Sequence, residues 1–271
     1  MKPKPRYGYY CLKPYLLSFT LFMIGGFVMI SYGLLLNHQL LFVIGIVTIA
    51  YAIITTTGWW LARYLIPGNR IDIARKIAKS LNLSGSELVP DVGLGRGLFA
   101  IEMAKILTKG KVTAIDLWES QSLNNSRYHH KLSQPTGNTI TNAQKNARIE
   151  GVEHKIEFLN MDATHLNFDN NSFDLAVSGF VINHLWEHRF DVLDEINRIL
   201  KPGGRLILID NYCDLIYFVL STPHLFFLSY LRKKKAKTLT KRNWIKTFQT
   251  ANFHIIRFHT RMGIVVIDAK T

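Results

Sequence analysis

Two long runs without a charged side chain stand near the head of the chain. Tyr15 to Leu36 and Leu40 to Ala62 hold only apolar and small polar residues. Each is about 22 or 23 residues, so as a helix each would reach roughly 33 Å and cross a bilayer core. Only Asn37-His38-Gln39 separates them, so the pattern predicts a helical hairpin with two spans. A cleaved leader is disfavoured, because its apolar stretch is shorter and no second span follows it at once. Gly25, Gly26, Gly33 and Gly45 are placed to let the two helices approach closely.

Beyond residue 66 the pattern changes to short apolar runs alternating with helical periods. Leu88 to Val92, Lys111 to Asp116, Ile156 to Asn160, Phe173 to Ser178 and the run opening at Leu206 read as strands. Helical periods follow at Leu98 to Leu107, from Thr141, and beyond Gly179-Phe180 up to Leu200. Such alternation predicts an α/β fold, a parallel sheet with helices on both faces. Lys241 to Ala251, with Trp244 and Phe248 four apart, reads as an amphipathic helix. Phe253 to Phe258 and Ile264 to Asp268 read as a closing antiparallel pair. The expected organisation is therefore a basic segment and hairpin over 1–66 and one catalytic domain over 67–271, with an insertion at about 212–240.

Within that insertion, Leu215 to Leu231 is apolar but contains Pro223 and His224, and Arg232-Lys233-Lys234-Lys235 follows it directly. Three readings compete: a third span, which the proline and short length oppose; an interfacial element with lysines on headgroups; and a lid over a substrate pocket.

Charge is distributed unevenly. Residues 1–83 sum to +8, 84–214 to −4 and 215–267 to +10, within a total of +14. The positive charge avoids the body and collects beside apolar segments. That favours an anionic membrane surface, at roughly 1 kcal/mol per basic residue close to it, over nucleic acid. Lys and Arg flank both ends of the hairpin and are absent from its turn. By the positive-inside rule both termini and the domain are expected in the cytoplasm, with the protein a two-span membrane protein.

Candidate chemistry begins at Asp91-Val92-Gly93-Leu94-Gly95-Arg96-Gly97. A strand ends in an acid, and three alternate glycines lead into a helix whose first N–H groups face any ligand there. A dinucleotide site is one alternative, but the third glycine falls one residue early for that fingerprint. A plain strand-to-helix turn is the other. The later segments decide. Asp116 ends the second strand, Asp162 follows the third, Ser178 ends the fourth, and all lie at the strand ends where such sheets bind ligands. Glu195 to Leu206 then supplies a helix, Lys201-Pro202-Gly203-Gly204 and a fifth strand.

This ordered set resembles the class I methyltransferases that use S-adenosylmethionine (SAM). More narrowly, Arg6-Tyr7-Gly8, Asp116-Leu117-Trp118, Gly137-Asn138 and Asn146-Ala147-Arg148 are similar to a subgroup with an N-terminal two-span hairpin. Leu94 stands where that subgroup has a small residue or cysteine, and the loop after Trp118 is longer than in its members. The resemblance implies a Rossmann-like, seven-stranded sheet behind a transmembrane hairpin, with SAM as methyl donor and no metal. It implies that Asp91 serves the methionine end and that Gly93, Gly95 and Gly97 approach the donor through backbone. Asp116, with Leu117 and Trp118, would hold the ribose side, and Asp162, with Ala163, the adenine. Ser178 would line the same cleft.

Methyl transfer from a sulfonium needs alignment and exclusion of water more than strong acid or base. His184 is the candidate base if the acceptor must lose a proton; its alternatives are a helix cap or a pocket wall. His184 and His188 lack a third partner for a metal. The long polar stretch over 119–140 reads as an acceptor cover or a solvated loop. Cys11 and Cys213 suit a reducing compartment and suggest no nucleophile. The expected function is methyl transfer to an amphiphilic acceptor, lipid or quinone-like, at the cytoplasmic membrane face. A small soluble acceptor, or a membrane-tethered SAM sensor without turnover, is the alternative, and the oligomeric state is left open.

Overall fold

The computed structural model describes residues 4, 5, 7, 12–65, 67–118, 138–185, 188–212, 239–261 and 264–271. The stretches expected as a long loop after Trp118 and as an apolar and basic insertion after Tyr212 therefore lie outside the described residues. So do Cys11, Cys213 and the side chain of His184.

Contacts divide the chain into two units. One consists of the helices α1 (Leu12–Leu35) and α2 (Gln39–Leu65). They pair antiparallel across a turn at Asn37, whose φ is 50°. Three glycines fix the approach. A Cβ on Gly33 would lie 2.6 Å from the Phe42 nitrogen, one on Gly45 2.7 Å from the Gly26 carbonyl oxygen, and one on Gly26 2.5 Å from Ile49 Cγ1. Gly25, by contrast, has nothing within 4 Å, so it plays no part in the contact. Outward-facing side chains remain apolar: Phe27 is 57% exposed, Ile54 66% and Leu35 79%. Among the described residues Gln39–Thr57 is long and apolar enough to cross a membrane, and the apolar stretch Phe19–Leu35 is shorter.

The other unit opens with α3 (Pro67–Ser80) from Arg70 onward and carries the sheet. Its elements are β1 (Leu88–Val92), α4 (Leu98–Ile106), β2 (Lys111–Asp116), α5 (Ile140–Ile149), β3 (Ile156–Asn160), β4 (Phe173–Gly179), α6 (Arg189–Ile199), β5 (Leu200–Asn211), α7 (Lys241–Thr250), β6 (His254–Arg261) and β7 (Ile264–Lys270). The seven strands run in the order β3-β2-β1-β4-β5-β7-β6. The first five are parallel, and β7 is antiparallel to both β5 and β6. The order reverses between β1 and β4, the place where such sheets open a ligand crevice at their carboxyl edge.

Sheet burial explains the runs of apolar residues. Leu206 and Leu208 of β5 pack with Val192, Leu193 and Ile196 of α6 and Trp244 and Phe248 of α7. Ile207 and Ile209, alternating with them, are also buried, so both faces of this strand are covered. The Pro-Gly-Gly turn departs from the expected helix-turn-strand. Leu200 already pairs with Phe173, and the register then jumps to Leu175 against Arg205. Lys201 to Gly204 thus bulge from an edge that has begun. Gly203 supplies the positive φ of 77° that this bend requires.

Candidate functional site

Asp91 is the third of four consecutive buried positions in β1 and is only 1% exposed. Its Oδ2 accepts the Ala100 N–H at 2.8 Å, in the first turn of α4. Its Oδ1 is buried with no hydrogen-bond partner. Burial pushes this carboxyl up to about 7; the Ala100 N–H opposes the shift and the negative charge of Asp116 adds to it. One oxygen is committed to the fold and the other lacks the donor that a buried acceptor requires.

The glycines make the turn that brings backbone to this point. Gly93, Gly95 and Gly97 have φ of 82°, 58° and 86°, a region costly for any residue with a Cβ. Gly93 has a second reason: a Cβ there would sit 2.1 Å from Val181 Cγ2. The N–H groups of Gly93 and Leu94 both donate to the Ile115 carbonyl, at 2.8 and 3.1 Å. Gly97 caps α4 in the left-handed conformation. Beneath the loop, the buried Asn146 of α5 donates Nδ2 to the Arg96 carbonyl at 3.0 Å.

Asp116 holds the loop from the neighbouring strand. Its Oδ2 accepts the Gly95 N–H at 2.6 Å and its Oδ1 the Leu117 N–H at 2.8 Å. Burial raises its pKa, while those two N–H groups work against the rise. Each oxygen keeps a lone pair after these bonds. Trp118 is buried, donates Nε1 to the Gly95 carbonyl at 3.4 Å and lies 6.4 Å from the Phe158 ring. Its backbone N–H goes to Asn160 Oδ1. Past β3, Asp162 Oδ1 accepts both the N–H and the hydroxyl of Thr164, at 2.9 and 2.8 Å. Ala163 packs on the main core. Ser178 is turned inward: its hydroxyl donates to the Val92 carbonyl at 2.9 Å and ties β4 to β1.

Sequence reasoning passed over Asp210. It stands one residue before the end of β5, much as Asp116 ends β2, and an acid closing an apolar run is the available signal. Asp210 is 0% exposed. Oδ2 accepts the Asn183 N–H at 2.8 Å and Oδ1 the Asn211 N–H at 2.7 Å. Burial lifts the carboxyl to about 7 against those bonds and against the nearby positive charge of Arg70. Pairing in register sets Asp210 on the face of Leu206 and Leu208, and Asp91, opposite Val177, on the other. The two buried acids thus flank the crevice from opposite faces of the sheet. Phe180, with φ of 61°, makes the turn out of β4 and carries the Arg70 guanidinium 4.3 Å above its ring. The 3-10 turn Ile182–His184 follows. Among the described residues no cluster of three metal-ligating side chains occurs.

Residues 90–208 match the family model of the methyltransferase domain. The chain is 30% identical over 140 residues to the phthiotriol/phenolphthiotriol dimycocerosates methyltransferase of Mycobacterium leprae, covering 52% of this chain and 43% of that one. It is 31% identical over 122 residues to a ubiquinone/menaquinone biosynthesis C-methyltransferase of Pseudomonas savastanoi, covering 41% and 46%. The match therefore spans less than half the length of either relative. In architecture it is similar to a SAM-dependent methyltransferase from Methanosarcina mazei, with a TM-score of 0.54 and 23% identity over 70% of this chain and 94% of that one. Residues 90–208 thus match a methyltransferase domain, and they lie within a seven-stranded mixed sheet.

Proposed function

We propose that this protein transfers a methyl group from SAM to an amphiphilic, quinone-like or lipid acceptor at the cytoplasmic face of a membrane, to which the hairpin anchors it. The buried, unpartnered Oδ1 of Asp91 beside three left-handed glycines carries the reading. A ligand bearing a cationic amine satisfies that oxygen, and such a donor is what a buried carboxylate most favours. The residues therefore fit the donor that the domain implies.

In this reading Asp91 takes the amine of the methionine end, and Gly93, Gly95 and Gly97 admit the donor against bare backbone. Asp116 offers its remaining lone pairs to the ribose hydroxyls, with Leu117 and Trp118 forming the wall beside it. Asp162 and Ala163 stand on the adenine side. Ser178 acts by holding β1 and β4 together at the crevice. SAM itself supplies an activated methyl group. The chain then has to orient the acceptor in line with that methyl and keep water out. His184, at the exit of β4, is the group to accept a proton where the acceptor gives one up.

Two observations favour an acceptor that resides in the bilayer. Both relatives named above act, by their names, on lipidic or quinone substrates. The outward faces of α1 and α2 are apolar, and basic residues flank the pair while its turn has none. That pattern supports the reading of two spans with both ends in the cytoplasm.

The test is transfer of labelled methyl from SAM by the detergent-purified chain to a total lipid extract and to a soluble metabolite extract, side by side. Label in the lipid phase is expected. Label only in the soluble phase would reduce the hairpin to an address, and tight SAM binding without transfer would indicate a sensor.

A further inference from the structure

Tyr7 precedes the hairpin in the chain, yet it belongs to the unit that carries the sheet. It is the central residue of Arg6-Tyr7-Gly8, a motif for which the proposed donor site has no use. Its side chain is half-buried, and its hydroxyl donates to Glu150 Oε1 at 3.4 Å. Burial, with Glu150 adding to it, raises the pKa of Tyr7, so the hydroxyl keeps its proton and remains a donor.

Glu150 is one member of a charge cluster. Its Oε2 lies 2.9 Å from Lys105 Nζ, and the same nitrogen lies 2.7 Å from Glu102 Oε1. Glu102 is 2% exposed, and its Oε2 lies 3.5 Å from Arg75 Nε. The carboxylates and cations balance, so the buried Glu102 is paired as a charge in the interior must be. Four stretches meet here: the segment before the hairpin at Tyr7, α3 after it at Arg75, α4 at Glu102 and Lys105, and the C-cap of α5 at Glu150. The chain on both flanks of the hairpin thus converges on α4 and α5. These are also the helices that hold the glycine loop. Gly97 caps α4, and Asn146 of α5 donates to the Arg96 carbonyl. The Asn146 carbonyl accepts the Glu150 N–H at 3.0 Å, so one helical turn separates the clasp on Tyr7 from the contact with the loop.

We propose that Tyr7 is a positioning residue: through Glu150 and Lys105 it clasps α5 to α4, and through Asn146 this clasp sets the order of the glycine loop and its affinity for SAM. The affinity rests on the methyltransferase reading and deepens it, whereas the ordering of the loop stands without it. Tyr7 lies outside residues 90–208, which match the methyltransferase domain. The segment that leads into the hairpin is thus part of the donor site's support, and a change there is felt at Gly95 and Gly97.

The experiment compares the full natural chain with Tyr7→Ala and Tyr7→Phe in detergent micelles, by hydrogen exchange without ligand and by titration with SAM. Tyr7→Ala should speed exchange by about 3- to 30-fold at the α5 amides and at Gly95 and Gly97, the scale of coupling carried through packed elements. Amides of β4 and β5 should be unchanged, which shows that the sheet stays folded. SAM affinity should fall by a similar factor. Tyr7→Phe keeps the ring and loses only the hydroxyl, so it should fall between the two. Asn146→Ala cuts the link to the loop, and adding Tyr7→Ala to it should weaken SAM binding by less than about twofold more. Loop exchange and SAM affinity within twofold of the natural chain in Tyr7→Ala, with only Tm lowered, would reduce Tyr7 to a structural contact and overturn the proposal. Full additivity with Asn146→Ala would overturn it as well. A natural chain that binds no SAM would defeat the methyltransferase reading alone, and the exchange comparison would still decide the role of Tyr7.

Discussion

The Gly95 N–H donates to Asp116 Oδ2 at 2.6 Å, joining residues 21 apart in sequence. Through this bond the end of β2 sets the shape of the glycine turn that follows β1. Asp116 thus has two tasks in the proposed site, holding the loop and facing the ribose.

Replacing Asp116 by Ala removes both. The lost bond involves a charged acceptor, worth roughly 1.5–3 kcal/mol, and it leaves the Gly95 N–H without its partner. SAM affinity should fall by at least about 100-fold, read by calorimetric titration. Asp116→Asn keeps one acceptor oxygen and should lose less. An alanine variant that binds SAM within threefold of the natural chain would remove Asp116 from the site.

The pH dependence of donor binding follows from Asp91. Its pKa in the folded chain is raised from 3.8 to about 7, with burial as the chief cause. Between those values the folded chain holds a proton that the unfolded chain has released. The contribution of this group to stability therefore declines as pH rises through that window and is constant above it. An amine seated at Oδ1 favours the carboxylate, so binding below pH 7 releases a proton. SAM affinity should rise from pH 5.5 toward 7, by at most one decade per pH unit, and then level. Calorimetry in buffers of different ionisation heat would count the proton released. Asp91→Asn should bind weakly and without this slope, which separates Asp91 from Asp210, also near 7.

Gly93 offers a test of close approach against backbone strain. A Cβ there meets Val181 at 2.1 Å in addition to the positive φ. Gly93→Ala should cost about 1–3 kcal/mol of stability and abolish SAM binding. Gly151 also has positive φ, 74°, but its Cβ would meet nothing within 4 Å. Gly151→Ala should carry the conformational cost alone, about 1 kcal/mol, with SAM binding intact. Pairing Gly93→Ala with Val181→Ala should restore part of the loss, because the two changes share one contact. Equal behaviour of the two glycine variants would mean that strain, not the Val181 contact, governs the turn.

These residues also mark what the chain's pattern reveals. An apolar run closing on an acid located Asp91 and Asp116 together with their strands, because period and burial act locally. Asp210 bears the same mark, yet it accepts the N–H of Asn183, 27 residues earlier, and no local pattern encodes that meeting. The contact of Gly93 with Val181 is equally long in range. Its place at a strand end assigns Ser178 to the ligand, whereas its hydroxyl donates to the Val92 carbonyl. Position along a strand fixes which face a side chain takes, but not which partner it finds there. The bulge at Lys201 to Gly204 is a further case. Its Pro-Gly-Gly signals a turn, and only pairing with β4 shows that the edge has begun before it.

Orientation in the membrane is the last prediction. If α1 and α2 each span, the turn at Asn37-His38 lies on the far side from the domain. In a chain with Cys11 and Cys213 changed to Ser, a membrane-impermeant maleimide should label His38→Cys in intact cells. Lys76→Cys, on α3 after the hairpin, should label only after permeabilisation. Lysines and arginines resist transfer across the bilayer during insertion, and all those near the hairpin lie outside its turn. Labelling of Lys76→Cys in intact cells would invert the topology. It would also place the domain away from the compartment where SAM is made, and so would count against the proposed activity. Protection of both positions until permeabilisation would mean that the helices do not cross, with their apolar faces covered some other way. The two cysteines thus test the anchor and the enzyme through one assay.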